Sequence, residues 1–240
     1  MSLTFRQNKI LNTIVKEYVK SAAPISSKFL DRKYNFGISP ATLRIEMQKL
    51  TNEGLLYQPH TSAGRIPTDK GYRFFVNDIL ENGPFIFNNK KEEIIAKEIK
   101  KELENSLKFL QVATRVLAER SSNLSLSYIL DEDILWKEGW EDIFDKPEFK
   151  NVDFVSRFAR TISLFEENIS NFASDYSSGV RVYIGAETPK FRNEDASIIT
   201  TSFKCPRLGC SGIFVIVGPK RMDYKKNISV VNSLTKLLEE

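Results

Sequence analysis

Residues 39–73 read SPATLRIEMQKLTNEGLLYQPHTSAGRIPTDKGYR, a stretch whose punctuation leaves few folds open. Ser39 is a strong helix N-cap, and Pro40 suits the first helical position, where a missing N–H costs no hydrogen bond. Leu43, Met47 and Leu50 recur at helical spacing and place one apolar stripe against a core. Thr42, Arg44, Ile45, Gln48 and Lys49 fall on the opposite face, and Gly54 ends the helix. Leu55 to Gln58 follows as a short apolar strand, and His60-Thr61-Ser62-Ala63-Gly64-Arg65 as a loop of small residues. Ile66-Pro67 returns from the loop, and Thr68 caps a helix docked by Tyr72, Phe74, Phe75 and Ile79. A short helix with a small, polar and basic outer face can enter a DNA major groove.

The residues before this stretch supply its support. Thr4 to Ser21 reads as a helix with Ile10, Leu11, Ile14, Tyr18 and Val19 on one face, opened by a Thr4–Gln7 capping box. Ala22-Ala23-Pro24 stops it. Ser26 or Ser27 caps a shorter helix to about Tyr34, burying Phe29 and Leu30. Asn35-Phe36-Gly37-Ile38 is the turn into the Ser39 helix, which completes a helix-turn-helix. With the strand and loop that follow, the expected architecture of residues 1–84 is a winged helix-turn-helix. Such geometry also occurs in proteins that bind no DNA.

Asn88 to Ser121 reads as one long charged helix, seamed by Ile95, Ile99, Leu103, Leu107, Leu110, Ala113 and Leu117. The seam can dock on a neighbouring domain or pair with its copy in a second subunit. Ser127 to Lys150 reads as irregular, with Ile129-Leu130 and Ile134-Leu135-Trp136 as strand candidates. Asp153 to Tyr176 is expected helical, with Phe154, Phe158, Ile162, Phe165 and Ile169 on one face. Strands are expected at Val180 to Ile184, Ser197 to Phe203 and Gly212 to Val217, and a closing helix at Tyr224 to Leu238. The fold class is therefore α+β, with 85–121 as a linking helix and 122–240 as a mixed α/β domain.

Charge is uneven along the chain. Residues 1–80 hold 12 Lys or Arg against 6 Asp or Glu, whereas the rest holds 23 against 25. A basic first third on a near-neutral remainder directs any polyanion to the N-terminal part, unless the basic face is merely solvated. No apolar run approaches the ~20 residues of a membrane span, and no signal-peptide pattern opens the chain, so a cytoplasmic protein without membrane contact is expected. Two cysteines, Cys205 and Cys210, make no disulfide framework.

The candidate chemistry is thin. His60 is the only histidine, and no Ser–Asp pattern completes a triad around it; it either makes a DNA or loop-organising hydrogen bond or is structural. Cys205 and Cys210 lack two further ligands for a zinc site, so no metal and no cofactor are expected. Gly218-Pro219-Lys220-Arg221 lacks the spacing of a phosphate loop, and Pro219 removes a useful N–H. It is expected to end a strand and tie Arg221 to a carboxylate such as Asp223, or to another domain. No active site assembles, and an enzyme is not expected.

The run HTSAGRIPTDKGYR, from His60 to Arg73, closely resembles the signature of the heat-inducible transcription repressor HrcA family. The resemblance extends to Pro24-Ile25-Ser26-Ser27-Lys28, to Ser39-Pro40-Ala41-Thr42-Leu43-Arg44, and to Gly218-Pro219-Lys220-Arg221-Met222-Asp223-Tyr224, covering residues 3–120 and about 134–238. It implies a GAF-like C-terminal domain, here reduced, because the family has a longer middle section that residues 121–133 would bridge. Ile45-Glu46 stands where the family usually shows Asn-Asp. Taken with the charge and the helix-turn-helix pattern, it implies a sequence-specific repressor of heat-shock chaperone genes. Such a repressor binds an inverted-repeat operator in double-stranded DNA as a homodimer, with chaperonin as a further partner. Base contacts are expected from Thr42, Arg44 and Gln48. Backbone or minor-groove contacts are expected from Lys28, Ser39, Lys49, His60, Thr61, Ser62, Arg65 and Lys70. The rival expectation is a non-catalytic protein-interaction module on the same fold.

Overall fold

The computed structural model describes residues 3–82, 99, 102, 104–173, 179–189, 191 and 193–239. It divides into two units, Met1–Asn82 and Gly83–Glu240. The described residues form a mixed α/β structure of helices and antiparallel sheets, and no helix among them is long and apolar enough to cross a membrane.

In the first unit, α1 (Phe5–Ser21) opens with the reciprocal Thr4–Gln7 box and buries Ile10, Leu11, Ile14 and Val15. Ser26 caps α2 (Ser27–Lys33), and Ser39 caps α3 (Pro40–Asn52). Leu30 of α2 is fully buried, but Phe29 is 38% exposed, contrary to expectation. Its ring lies beneath the Lys33 ammonium, 5.4 Å from the centroid, which lets it remain at the surface. Past α3, Gly54 takes a φ of +74°, the left-handed turn that favours glycine. Strands β1 (Leu56–Tyr57) and β2 (Ile66–Pro67) pair antiparallel, and Thr68 caps α4 (Asp69–Glu81), which buries Tyr72, Phe75, Val76 and Ile79. Phe74 is only half-buried.

In the second unit, α5 (Ser106–Ser121) starts afresh at Asn105, whose extended backbone and side-chain cap on Lys108 interrupt any continuous helix from Asn88. Ile95 and Leu103 of the expected seam lie outside the described residues. Leu107 is 42% exposed, so the docked face is instead Phe109, Leu110, Ala113, Val116 and Leu117. It lies on β3 (Leu124–Ile129) and β4 (Ile134–Glu138). These strands join β5 (Arg181–Ile184), β6 (Ala196–Cys205) and β7 (Cys210–Pro219) in an antiparallel sheet of order β4-β3-β7-β6-β5.

Residues 121–133, expected to bridge a gap, therefore carry a central strand and its turn. Gly139 then leads into α6 (Trp140–Phe144) and a short turn at Pro147–Lys150. One sheet face, including Leu124, Leu126, Ile198, Val215 and Val217, meets the phenylalanines of α7 (Val152–Glu167) and α8 (Ile169–Ala173). The opposite face meets α5 and α9 (Tyr224–Glu239), where Phe109, Phe203 and Phe214 cluster and the Tyr224 hydroxyl reaches Ser197 at 2.7 Å. Arg221 grips Glu148 with two nitrogens, Nε at 2.5 Å and Nη2 at 2.9 Å, so its carboxylate partner is Glu148 rather than Asp223. Cys205 and Cys210 stand opposite each other across β6 and β7, both buried, and burial next to Cys205 pushes the Cys210 thiol up to about 12.

Candidate nucleic-acid interface

The α3 helix has two unlike faces. Leu43, Met47 and Leu50 are buried in the first unit, while Arg44, Ile45, Gln48 and Lys49 are exposed on the other side. Thr42 is half-buried at the helix start, and its hydroxyl meets that of Ser39 at 3.0 Å. Ser39 also accepts from the Thr42 amide, which satisfies one of the open N–H groups of the first turn. Arg44 makes no ion pair among the described residues. Ile45, expected on this outer face, is 56% exposed at the middle of the row, an apolar side chain among polar and basic ones. Glu46 turns the other way: it is buried, accepting from Gln7 Nε2 at 3.2 Å and from Lys49 Nζ at 3.0 Å. The Lys49 ammonium is therefore on the outer face but shared with Glu46.

The loop after β1 is held by one side chain. Gln58 Nε2 donates to the carbonyls of Thr61 and Ala63, and the Ala63 amide donates to the His60 carbonyl. His60, Thr61 and Ser62 form its exposed tip. Behind the tip, Gly64 lies against Ile25, where a Cβ would come within 2.4 Å of the Ile25 carbonyl. That close approach lets Ile25 and Arg65 exchange two backbone hydrogen bonds, of 2.9 and 2.8 Å.

Arg65 does not face outward as expected. Only 7% exposed, it sends Nε to Thr51 Oγ1 at 3.0 Å and Nη2 to Gln48 Oε1 at 2.8 Å. Two acceptors on α3 and the Ile25 bridge turn it inward, into the first unit. Burial, and then the charge of Arg44, lowers its pKa from the ordinary value. Lys70 is exposed, but its ammonium donates to the Glu53 carbonyl at 2.8 Å, at the end of α3 where helix carbonyls are open. Lys28 lies exposed on α2. Thus α3 brings Ser39, Thr42, Arg44, Gln48 and Lys49 onto one element, and the loop carries His60, Thr61 and Ser62.

A buried acid fixes α2 against α1. Glu17, 3% exposed, accepts from Lys33 Nζ at 2.6 Å and from the Tyr34 hydroxyl at 2.5 Å. Burial raises the Glu17 carboxyl, but the two hydrogen bonds, with the charges of Lys33 and Lys20, together hold the group below its ordinary value. The same bond pushes Tyr34 up to about 12. Sequence reading missed this cluster, since Glu17 lies among exposed-looking lysines.

The profile of the HrcA protein C terminal domain matches residues 75–228. The chain belongs to the HrcA family. The heat-inducible transcription repressor HrcA of Natranaerobius thermophilus is 30% identical over 348 aligned positions, covering 100% of this chain and 98% of that protein. The HrcA protein of Thermoanaerobacter pseudethanolicus is 30% identical over 336 positions, covering 99% of this chain and 96% of the relative. Both spans exceed the 240 residues of this chain, and both ends align, so this HrcA-family chain is shorter than its relatives by internal segments. A crystal structure of a hypothetical protein at 2.2 Å resolution shares the fold, with a TM-score of 0.72 and 20% identity over 98% of this chain and 97% of that one.

Proposed function

We propose that this chain is a transcriptional repressor that reads duplex DNA with the outer face of α3. The observation that carries the proposal is the division of that helix, with Leu43, Met47 and Leu50 holding it to the core while Arg44, Ile45 and Gln48 stand exposed in a row. An α-helix presented this way fits the major groove, where side chains distinguish all four base pairs. The relatives' name, heat-inducible transcription repressor, supports the same reading. On this reading α1 to α4 with the β1–β2 hairpin form a winged helix-turn-helix, and residues 122–240 a reduced GAF-like domain. His60, Thr61 and Ser62 at the wing tip, Lys28 on α2, and Ser39 at the start of α3 meet the backbone. The chain performs no catalysis.

Repression works by occlusion. A homodimer covers an inverted repeat, its two-fold axis matching that of the DNA, and excludes polymerase from a heat-shock promoter. Chaperonin keeps the repressor active, and heating releases the operator. The test is a mobility shift with inverted-repeat duplexes at two salt concentrations, with the solution mass measured in parallel. A dimer whose affinity falls steeply with salt supports the proposal, because phosphate contacts release counterions. A protein that shifts no duplex at either salt is instead an interaction module.

A further inference from the structure

Glutamine reads bases well only if its amide is oriented, since its oxygen accepts and its nitrogen donates. In most surface glutamines that choice is open. Here it is closed, because arginine carries donors and no acceptor. The atom of Gln48 that meets Arg65 Nη2 at 2.8 Å must therefore be Oε1. Gln48 Nε2 then points along the helix and donates to Asn52 Oδ1 at 2.9 Å, one turn on. An amide nitrogen has two hydrogens, so one donor remains for a partner outside.

Arg65 is itself immobilised. Its backbone is bridged to Ile25, its side chain is buried, and its Nε donates to Thr51 Oγ1. The Thr51 hydroxyl donates in turn to the Met47 carbonyl at 2.9 Å, which leaves its lone pairs for Arg65. A chain of fixed donors thus runs from the hairpin into α3 and ends on an exposed side chain.

We infer that Arg65 is a positioning residue for base readout, holding the Gln48 amide with its carbonyl inward and an N–H directed at an acceptor on a base edge. The inference rests on the DNA-reading role proposed above. The rotamer freedom of Gln48 is lost on folding rather than on binding, so recognition begins from an oriented group. Lysine cannot replace Arg65, because an ammonium is a point charge without the planar fork that serves Thr51 and Gln48 together.

The test is selection of duplexes from a randomised pool, by the full chain and by its variants, with the preference scored at each base pair. If the unaltered chain enriches nothing, the DNA reading itself fails. If it enriches a motif, Gln48→Ala marks the base pair that Gln48 reads. Arg65→Lys and Arg65→Ala are then expected to relax preference at that base pair by about tenfold while sparing the others. Arg65→Ala adds nothing in the Gln48→Ala background. A phosphate-binding Arg65 would be rescued by lysine, and a purely structural one would weaken all sequences equally; either result overturns the inference. Gln48→Glu, at an exposed position, keeps an acceptor for Arg65 but removes the outward donor. It must lose the same preference even where the Arg65 variants unfold, and retention overturns the inference.

Discussion

Glu17 shows how a single buried charge organises the support of the interface. Its carboxylate gathers Lys33 and Tyr34 from the end of α2, so the second helix is tied to the first before the turn into α3 begins. Removing one donor from a buried carboxylate is costly, because hydrogen bonds to charged groups contribute about 1.5–3 kcal/mol. Tyr34→Phe is expected to lower stability by about 1–2 kcal/mol at neutral pH, read from urea unfolding. Because the folded Glu17 pKa is depressed, its contribution is present above the ordinary glutamate value and lost as pH falls through the depressed one. The gap between Tyr34→Phe and the unaltered chain must therefore close in acid, and a gap independent of pH would remove Glu17 from the account. None of this was legible in the sequence, where Glu17 sits between Lys16 and Tyr18 and nothing local shows that Lys33 and Tyr34 will reach it. Arg65 was misread for a related reason: a basic residue in a small-residue loop looks outward until its acceptors on α3 are known.

At the scale of elements, what could be read was what local chemistry decides. Ser39, Pro40 and Gly54 bound α3 by capping, helix-start geometry and a left-handed turn, none of which needs a distant partner. Strand β3 was read instead as a bridge over a missing section, although Leu124-Ser125-Leu126-Ser127 alternates as a strand does. Both serines are fully buried, and their hydroxyls find Ser121 and Thr114 of α5, so polarity there marks a helix–sheet contact rather than solvent. The hairpin makes a sharper prediction. Gly64 is required by the backbone of Ile25, not by an unusual φ, so Gly64→Ala forces the Ile25–Arg65 bridge apart. Overpacking of this kind costs about 1–3 kcal/mol, and here it also releases the anchor of Arg65. A lowered urea midpoint is expected, and an unchanged one would show that the bridge contributes nothing.

At the scale of the whole molecule, the second unit encloses its sheet between two layers of helices. Five antiparallel strands are covered on one face by α7 and α8 and on the other by α5 and α9. The sequence signal for membership lay in two distant motifs, and the family match carries it across most of the chain. Basic charge, by contrast, gathers in residues 1–80, which hold 12 Lys or Arg against 6 acids, and so the α3 face lies in the part of the chain able to meet a polyanion. The central claim is that this face reads sequence rather than merely holding phosphate. The most direct measurement compares the affinities of the unaltered chain, Arg44→Ala and Lys49→Ala for a selected duplex and for a random one. Arg44→Ala is expected to forfeit about 1–3 kcal/mol of discrimination, whereas Lys49→Ala weakens both duplexes alike and reduces the salt slope by ~1. Equal losses on both duplexes for Arg44→Ala would contradict the claim.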